Sequence, residues 1–327
     1  MRLRFVVALL ALIGVAAPAA AQDFPVTVEH VYGETTVPAQ PQRVVSVGMH
    51  EQDFLYALGI APVGVKEWWG DHPYATWPWA EEARKAVGAE PQVMNADGIN
   101  IEWVAAQKPD LIIAIYVDMD ESTYKLLSQI APTVVTPKGY DLWGAPWQAE
   151  LKIIDQATSG NTTKSDVIVA DFARRYEDVR AKYPELKGKT GTNIYYDPAS
   201  GFTAWGPNDL ASKFLIDLGL TFPPELAKLA QPDNRIDVSA ELIDLLEMDV
   251  AIWPAENGDT QAAVEAMGTY QSLRIAKEGR SVWLDDGDGL AYAAMSWQTP
   301  LSLGYLLDIL PPKLAAAADG DPATAIP

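Results

Sequence analysis

The chain has 327 residues, 44 acidic against 24 basic side chains, a formal net charge of −20 and no cysteine. A chain this acidic repels nucleic acid and anionic lipid surfaces, which argues against partners of either kind. Without cysteine it has neither disulfides nor a thiol nucleophile, so its size must supply its stability.

The N-terminus has the pattern of a secretory signal. Arg2 and Arg4 precede an apolar run over residues 5–17, and Ala19-Ala20-Ala21 offers an Ala-x-Ala cleavage site. The run is shorter than the roughly 20 apolar residues that a membrane-spanning helix needs. We therefore predict a cleavable signal peptide over residues 1–21 and no membrane insertion. No cysteine follows the cleavage site, so we expect a periplasmic protein that is not a lipoprotein.

Residues 22–150 alternate short apolar runs with helical patterns. Alternating polar and apolar residues predict a β-hairpin over 26–37. Strands are then predicted at 43–47, 62–65, 111–115 and 133–136, with helices between them. This alternation is typical of an α/β lobe with a mainly parallel sheet.

A long helical stretch follows. Over residues 163–183, apolar side chains recur every three or four positions, which predicts one helix of about 30 Å. Because the α/β pattern restarts directly after it, we interpret 151–187 as a helical linker between two lobes. Packing of this helix inside a single domain is the alternative.

The second half repeats the first. Strands predicted at 192–196, 250–253 and 281–284 indicate a C-terminal α/β lobe over residues 188–314. A last helix over 297–309 is expected to end at Pro311-Pro312, and the alanine-rich residues 315–327 to form a disordered tail. The sequence thus predicts two Rossmann-like lobes with mainly parallel sheets, joined by a single long linker helix, with a ligand cleft between them.

One unit occurs in both halves. Glu102 begins a short helix, and Asp110 opens a strand eight residues later. Glu241 and Asp249 repeat this arrangement with the same spacing. Such self-similarity supports two pseudo-equivalent lobes.

Motifs of common enzymes are missing. The chain has no Gly-x-Ser-x-Gly elbow, no phosphate-binding loop and no Gly-x-Gly-x-x-Gly fingerprint. Its three histidines, His30, His50 and His72, form no His-x-x-x-His pair, so a histidine-built metal site is not expected. We therefore predict a binding protein without catalytic residues.

Aromatic residues are concentrated just after predicted strands in both halves. Tryptophan and tyrosine offer large flat surfaces with one polar atom and little rotamer entropy to lose, which suits a bulky, rigid, partly apolar ligand. With neighbouring polar residues, the predicted ligand-binding set is Met49, His50, Lys66, Trp68, Tyr116, Tyr140, Trp143, Trp205, Trp253, Tyr292 and Trp297.

Several segments in order along the chain resemble a known family, the periplasmic substrate-binding proteins that have a helical backbone and serve importers of iron-siderophores, haem and vitamin B12. The order and spacing of the segments carry the resemblance more than any single one. They are residues 41–46, 57–60 with 62–64, 98–102, 108–113, 130–133 and 215–219.

The resemblance implies a monomeric binding protein that docks on an inner-membrane ABC permease dimer. In this family a glutamate on each lobe meets arginines of the permease, and Glu102 and Glu241 occupy the matching places. Residues 66–79 resemble the ferric-siderophore branch. Few arginines lie in the predicted cleft loops, so a ferric hydroxamate, neutral or cationic, is favoured over an anionic catecholate. The siderophore would hold the iron, with no protein ligand and no further cofactor.

Two alternatives remain open at this point. The same fold could bind haem or a corrinoid, in which case Met49 and His50 are the candidate axial ligands. The chain could instead be a secreted α/β hydrolase, although the missing nucleophile motifs weigh against that.

Overall fold

A computed structural model describes residues 24–232, 234–255, 259–284 and 288–327. The signal peptide predicted over residues 1–21 lies outside these ranges. Two five-stranded sheets, each with its own helices, form two α/β lobes. Within the described ranges, no helix combines the length and apolar character needed to cross a bilayer.

The N-terminal lobe begins with the predicted hairpin, in which Val26 pairs with Val37. A parallel sheet follows, with strand order β5-β4-β3-β6-β7. Helices α3 and α4 start after Asn100 and Asp120, whose side chains accept hydrogen bonds from backbone N–H groups of the first turn. The elements are β1 (Val26–His30), β2 (Gly33–Val37), β3 (Val44–Ser46), α1 (Glu51–Ala57), β4 (Gly64–Lys66), α2 (Glu81–Ala86), β5 (Gln92–Met94), α3 (Ile101–Ala106), β6 (Leu111–Ala114), α4 (Glu121–Leu127) and β7 (Thr133–Val135).

Two longer helices lead out of this lobe. They are α5 (Trp147–Ser159) and α6 (Thr163–Lys182). Near the start of α6, the ammonium group of Lys164 donates to the carbonyl oxygen of Leu58 at 2.6 Å. Near its end, Arg180 donates to the carbonyl oxygen of Asp217, in the other lobe, at 2.6 Å. The single helix α6 therefore contacts both lobes, as expected for the linker.

The C-terminal lobe contains a mostly parallel sheet with strand order β10-β9-β8-β11-β12. Only β9 runs antiparallel to its neighbours. Asp209 caps α7 through a hydrogen bond from the backbone N–H of Ala211. The elements are β8 (Gly191–Asp197), β9 (Gly201–Trp205), α7 (Leu210–Asp217), α8 (Pro224–Ala227), β10 (Arg235–Val238), β11 (Val250–Pro254), α9 (Thr260–Glu265), α10 (Gly268–Ser272), α11 (Arg274–Lys277), β12 (Ser281–Leu284), α12 (Leu290–Trp297) and α13 (Pro300–Ala318).

The largest apolar core continues from one lobe to the other. Trp147 of α5 packs edge-on against Phe172 of α6, with ring centroids 5.0 Å apart. Tyr176, one turn further along α6, packs against Phe214 of α7 at 6.0 Å. Full burial of one such side chain stabilises the fold by about 1.5–3 kcal/mol. The linker is therefore built into the core, and the two lobes hold a defined relative position.

The end of the last helix differs from the prediction. Helix α13 runs through Pro311 and Pro312 to Ala318, and Ala317 and Ala318 are buried in the core. Each proline removes one N–H donor from the helix, but the apolar face continues past them and its burial outweighs that loss. Ile326 also packs against the core. The prediction of a disordered tail from residue 315 is therefore wrong for the last turn of α13.

The segment that follows β10 is helical, as predicted for the unit that begins at Glu241. Residues 240–246 form a 3₁₀ helix. The backbone of Leu242 departs from helical values (φ −103°, ψ 20°), and Ser239 makes no side-chain cap. Short segments without a cap commonly take these tighter i→i+3 hydrogen bonds. Glu241 still lies in the first turn of this segment.

Candidate ligand-binding cleft

Residues that follow the strands of both sheets meet where the lobes adjoin. Met49 and His50 follow β3, Trp68 comes two residues after β4, and Tyr116 comes two residues after β6. Side chains at the carboxyl ends of neighbouring parallel strands lie at one edge of a sheet, which is where α/β proteins bind their ligands. This edge of the N-terminal sheet contacts α12 of the C-terminal lobe through aromatic rings.

A first run of ring contacts crosses from the N-terminal lobe to α12. Trp143 meets the ring of Tyr116 edge-on at 4.5 Å, and Tyr116 stacks on the imidazole of His50 at 4.2 Å. His50 contacts Trp297 at 6.2 Å, and Trp297 contacts Trp68 at 5.6 Å. These distances are within the range of favourable aromatic packing.

A second run reaches the C-terminal sheet. Trp297 contacts Trp77 at 6.0 Å, and Trp77 contacts Trp69 at 5.0 Å. Trp69 meets Tyr292 at 5.7 Å, and Tyr292 meets Tyr195 of β8 at 5.7 Å. We call the combined set the aromatic floor, which consists of His50, Trp68, Trp69, Trp77, Tyr116, Trp143, Tyr195, Tyr292 and Trp297.

The members of the aromatic floor differ in exposure. Trp68 and Trp143 are each 38% exposed, so they can offer a ring face to a ligand. His50 and Trp297 are only 3% and 1% exposed, so they support the exposed rings from beneath. Trp143 holds a left-handed backbone conformation (φ 68°), which is uncommon for a residue with a large side chain.

His50 lies at the centre of a buried polar network. Its Nδ1 is 2.7 Å from the carbonyl oxygen of Trp297, and its Nε2 is 2.9 Å from the Oε2 atom of Glu150 on α5. Both ring nitrogens are therefore occupied. Axial ligation of a haem iron by His50 would require one ring nitrogen to give up its present contact and the imidazole, which is 3% exposed, to become accessible, which disfavours that alternative.

A second buried carboxylate, Glu51, fixes the backbone beside the floor. Its Oε1 atom accepts hydrogen bonds from the backbone N–H groups of Ile115 at 2.7 Å and Tyr116 at 2.8 Å. Its Oε2 atom accepts one from the N–H of His50 at 3.2 Å. A Cβ atom at position 48 would lie 1.8 Å from the Oε1 atom of Glu51, so only glycine fits at Gly48.

Asp53, one turn along α1, is fully buried and incurs a desolvation cost when charged. Its Oδ2 atom accepts hydrogen bonds from Trp79 and from Thr299, both at 2.8 Å. Within the described ranges its Oδ1 atom has no hydrogen-bond partner. Burial therefore raises the pKa of Asp53 to about 6 despite these two donors.

We expect Asp53→Asn to gain stability relative to the parent protein as the pH rises. The folded protein keeps the Asp53 proton to a higher pH than the unfolded chain, so the aspartate lowers the free energy of unfolding between about pH 4 and pH 6. Asparagine does not titrate, and the relative gain should reach roughly 2–3 kcal/mol above pH 7. Urea denaturation at pH 4.5 and pH 8 measures it.

Asp120→Asn is the control for this titration. Asp120 is exposed, and hydrogen bonds from the first turn of α4, chiefly from Thr123, hold its pKa below the usual range. Its substitution should therefore lower the free energy of unfolding more as the pH rises, which is the opposite of the change expected for Asp53→Asn. If the free energies of unfolding of Asp53→Asn and the parent protein differ by the same amount at both pH values, the assignment of a raised pKa to Asp53 is contradicted.

The charged groups around the floor are mainly acidic. Burial is the main cause of the raised pKa of Tyr116 and of Tyr195. The negative charge of nearby Asp209 raises the pKa of both phenols further. Burial also raises the pKa of Asp209 itself. Burial and, secondarily, Asp71 raise the pKa of Glu67 to about 7. These carboxyl groups make the cleft more compatible with neutral or cationic ligands than with polyanions.

Lys66 and Met49 lie at the same edge of the N-terminal sheet. Lys66 closes β4 with its side chain buried, and Met49 is half-buried after β3. The described ranges contain no group of three or more histidine, aspartate or glutamate side chains arranged to hold a metal ion.

Within the described ranges, three aromatic residues of the predicted ligand-binding set make no ring contact with the floor. Trp253 is fully buried in the core of the C-terminal lobe and stacks on Trp283 at 4.9 Å, so it faces no cleft. Trp253 was predicted to face the cleft because it lies at the end of a strand, but its side chain is on the core face of the sheet. Trp205 is half-buried on β9, opposite Arg235. Tyr140 is 39% exposed and borders a hollow beside Val31 at the hairpin turn.

Glu102 and Glu241, predicted to dock on a permease, are both exposed. Each lies in the first turn of a short helical segment that follows a strand of its own sheet. Helices in such connections begin near the carboxyl ends of the strands, so both glutamates lie toward the cleft side of their lobes.

Sequence reasoning missed part of the site. Trp69, Trp77 and Tyr195 belong to the floor but were absent from the predicted set, although Trp69 directly follows a predicted residue. Glu150 and Asp209 were also missed. Each of these carboxylates acquires its place beside the floor through tertiary contacts, which no local pattern of the sequence indicates.

Comparison with known proteins agrees with this geometry. A family model described as periplasmic binding protein matches residues 44–286. The probable siderophore-binding lipoprotein YfiY of Bacillus subtilis (strain 168) is 33% identical over 274 residues, which cover 80% of each chain.

Solved structures show the same fold. A periplasmic solute binding protein from Mycobacterium smegmatis superimposes with a TM-score of 0.79 at 34% identity, covering 90% of this chain and 98% of its own. PiaA of Streptococcus pneumoniae TIGR4, in complex with ferrichrome, superimposes with a TM-score of 0.76 at 27% identity, covering 90% and 99%. With two α/β lobes, one linker helix and a family match that spans most of its length, this chain belongs to the periplasmic binding protein family, whose members bind substrates.

Proposed function

We propose that this protein captures a ferric siderophore, preferentially a neutral or cationic hydroxamate complex, and delivers it to an ABC importer for iron uptake. The observation that carries the proposal is the aromatic floor, which joins both lobes at the carboxyl ends of their strands. The half-exposed rings of Trp68 and Trp143, each supported by a second ring, suit a large, rigid ligand with apolar parts. Siderophore-binding relatives support the same ligand class.

The charges of the cleft favour the hydroxamate class. Asp209 places negative charge near Tyr116 and Tyr195, and Glu67 and Asp71 lie in the loop after β4. Ferric catecholates carry a triple negative charge, which these carboxylates would repel, whereas a neutral or cationic hydroxamate avoids that cost. In this proposal the siderophore alone holds the iron, the protein contributes no metal ligand or cofactor, and no chemical step follows binding.

The proposal places the mature protein in the periplasm as a monomer. The chain contains no cysteine, the residue that carries the lipid of a lipoprotein, so we propose a form without a lipid anchor, although a relative carries the name of a lipoprotein. Labelling growing cells with a radioactive fatty acid tests this point. Absence of label on the purified mature protein supports a free periplasmic form, and incorporation of label would refute it.

Tryptophan fluorescence tests the ligand class. The protein is titrated with a neutral ferric hydroxamate, a cationic ferric hydroxamate, an anionic ferric catecholate, haemin and cobalamin. Iron chelates absorb strongly, so binding beside Trp68 and Trp143 should quench strongly, and both hydroxamates should bind more tightly than the catecholate. Preference for haemin or cobalamin would replace the siderophore proposal with the other ligands of this fold.

A substitution locates the binding surface. We expect Trp68→Ala to weaken binding of the preferred siderophore by about tenfold, since central aromatic contacts commonly contribute more than 1 kcal/mol. Tyr140→Ala is the matched control, because Tyr140 is equally exposed but lies apart from the floor. Equal losses of affinity in the two variants would argue against the floor as the binding surface. Isothermal titration calorimetry measures both.

A further inference from the structure

The contacts of His50 require one more proton than a neutral histidine and an ionised glutamate contain. Its Nδ1 faces the carbonyl oxygen of Trp297 at 2.7 Å, and its Nε2 faces a carboxyl oxygen of Glu150 at 2.9 Å. A carbonyl and a carboxylate only accept hydrogen bonds, and a neutral imidazole carries a single N–H. Both contacts are hydrogen bonds only if the imidazole is doubly protonated or Glu150 itself carries a proton.

This pair connects three parts of the molecule beneath the exposed rings of the aromatic floor. His50 follows β3, Glu150 belongs to α5, and Trp297 ends α12. The imidazole stacks on Tyr116 at 4.2 Å and meets Phe54 edge-on at 5.4 Å. The orientation of the imidazole therefore determines where the Tyr116 ring lies, and the carbonyl contact holds the end of α12 against the N-terminal lobe.

We propose that His50 and Glu150 share one proton and that this proton holds the aromatic floor in its ligand-binding arrangement, so that siderophore affinity falls when the pair loses it at alkaline pH. His50 is a positioning residue in this scheme, since it lies beneath the ligand-facing rings. The consequence for affinity rests on the proposed siderophore-binding function. The shared proton itself can be tested without any ligand.

The neighbouring ionisable groups favour retention of the proton. From α1, Glu51 and Asp53 place negative charge near His50, Glu150 does so from α5, and after β6 the phenol of Tyr116 stays neutral because its pKa is raised. Burial alone would lower the pKa of His50, but these carboxylates, with Glu150 foremost, raise it above its usual value of 6.5. Burial likewise raises the pKa of Glu150. The proton should thus persist through neutral pH and leave only above it.

The sign of the effect follows from linkage. A group whose pKa is raised in the folded, ligand-ready form contributes fully at low pH and loses its contribution as the pH passes that pKa. If only the protonated pair supports binding, affinity falls by up to about tenfold for each pH unit above the pKa of the pair. Glu67 also titrates near pH 7 but becomes negative as the pH rises, which favours a cationic ligand and so acts in the opposite direction.

Nitrogen-15 NMR of the imidazoles tests the shared proton directly. The chain contains only three histidines, and the pKa values of His30 and His72 are lowered by burial. At pH 7 we expect both of these to be mainly neutral while His50 is either doubly protonated or an Nδ1–H tautomer beside a protonated Glu150, as carbon-13 carboxyl shifts would show. A neutral His50 beside an ionised Glu150 at pH 7 would overturn the proposal.

Glu150→Gln separates positioning from simple stability. The glutamine amide can donate to Nε2 while Nδ1–H donates to the carbonyl of Trp297, so a neutral His50 would satisfy both contacts. We expect the siderophore affinity of this variant to stay constant from pH 6.5 into the alkaline range, where that of the parent falls. The control His30→Gln, which replaces a buried histidine that is not part of the aromatic floor, should keep that fall in affinity.

The outcomes distinguish the two proposals. If the affinity of Glu150→Gln for its ligand falls at alkaline pH as steeply as that of the parent, the role of the shared proton in binding is refuted, whatever the ligand. If no siderophore binds at any pH, the siderophore proposal fails, while the NMR result still decides whether the proton is shared.

Discussion

Glu51→Ala is expected to lower the free energy of unfolding by about 3–5 kcal/mol, since each buried N–H group left without an acceptor costs about 1–3 kcal/mol and the lost side chain leaves a cavity. The carboxylate accepts hydrogen bonds from the N–H groups of His50, Ile115 and Tyr116. Chemical denaturation followed by circular dichroism measures the change.

Two further variants calibrate this loss. Glu51→Gln keeps one acceptor oxygen for Ile115 and Tyr116 but turns an amide N–H₂ toward the N–H of His50. Its free energy of unfolding should therefore fall by less than that of the alanine variant. Glu82→Ala removes an exposed carboxylate from α2 and should change stability by less than about 0.5 kcal/mol. A Glu51→Ala protein about as stable as the Glu82→Ala protein would contradict the assigned role of the buried network.

The double variant Glu102→Ala with Glu241→Ala is expected to abolish siderophore uptake and leave the affinity of the purified protein unchanged. Both side chains are exposed, and neither belongs to the aromatic floor. Bidentate pairs between carboxylates and permease arginines would fix both position and rotation of the docked protein, so removing both should prevent transfer. Uptake of radioactive iron by cells that depend on this protein, together with titration calorimetry, measures the two quantities.

The matched control is Glu121→Ala with Glu225→Ala. These glutamates also lie in the first turns of short helices, one in each lobe, and share the favourable interaction with the helix dipole, about 0.3–1 kcal/mol each. Normal uptake in the control with lost uptake in the test variant supports docking at Glu102 and Glu241. Loss of ligand affinity in the purified test variant would refute a role confined to docking.

Local sequence patterns were sufficient to predict most of the helices and strands. The hairpin over residues 26–37 was predicted from alternation, and α6 from the spacing of Ile168, Phe172, Tyr176 and Val179. These patterns are reliable because strands and helices bury their side chains with periods of two and about 3.6 residues. The end of α13 was not predictable in this way, because packing of its last turn against the core overrides the local effect of Pro311 and Pro312.

The candidate site, like the fold, was predicted only in part by local patterns. Trp68, Tyr116 and Tyr292 could be selected because aromatic residues beyond strands tend to face a cleft, and all three lie in the floor. Trp253 satisfied the same rule but is in the core, since the rule does not say which face of the sheet a side chain takes. Packing from a second layer of helices decides that face.

The amino-acid sequence by itself determined the two α/β halves, the helix between them and the family to which the chain belongs, because these depend on short-range periodicity and on the order of local segments. Only the tertiary structure decided which rings meet across the lobes and that His50 lies between two acceptors. Those contacts join residues a hundred or more positions apart. The burial that shifts the pKa values of their ionisable groups exists only once both lobes have packed together.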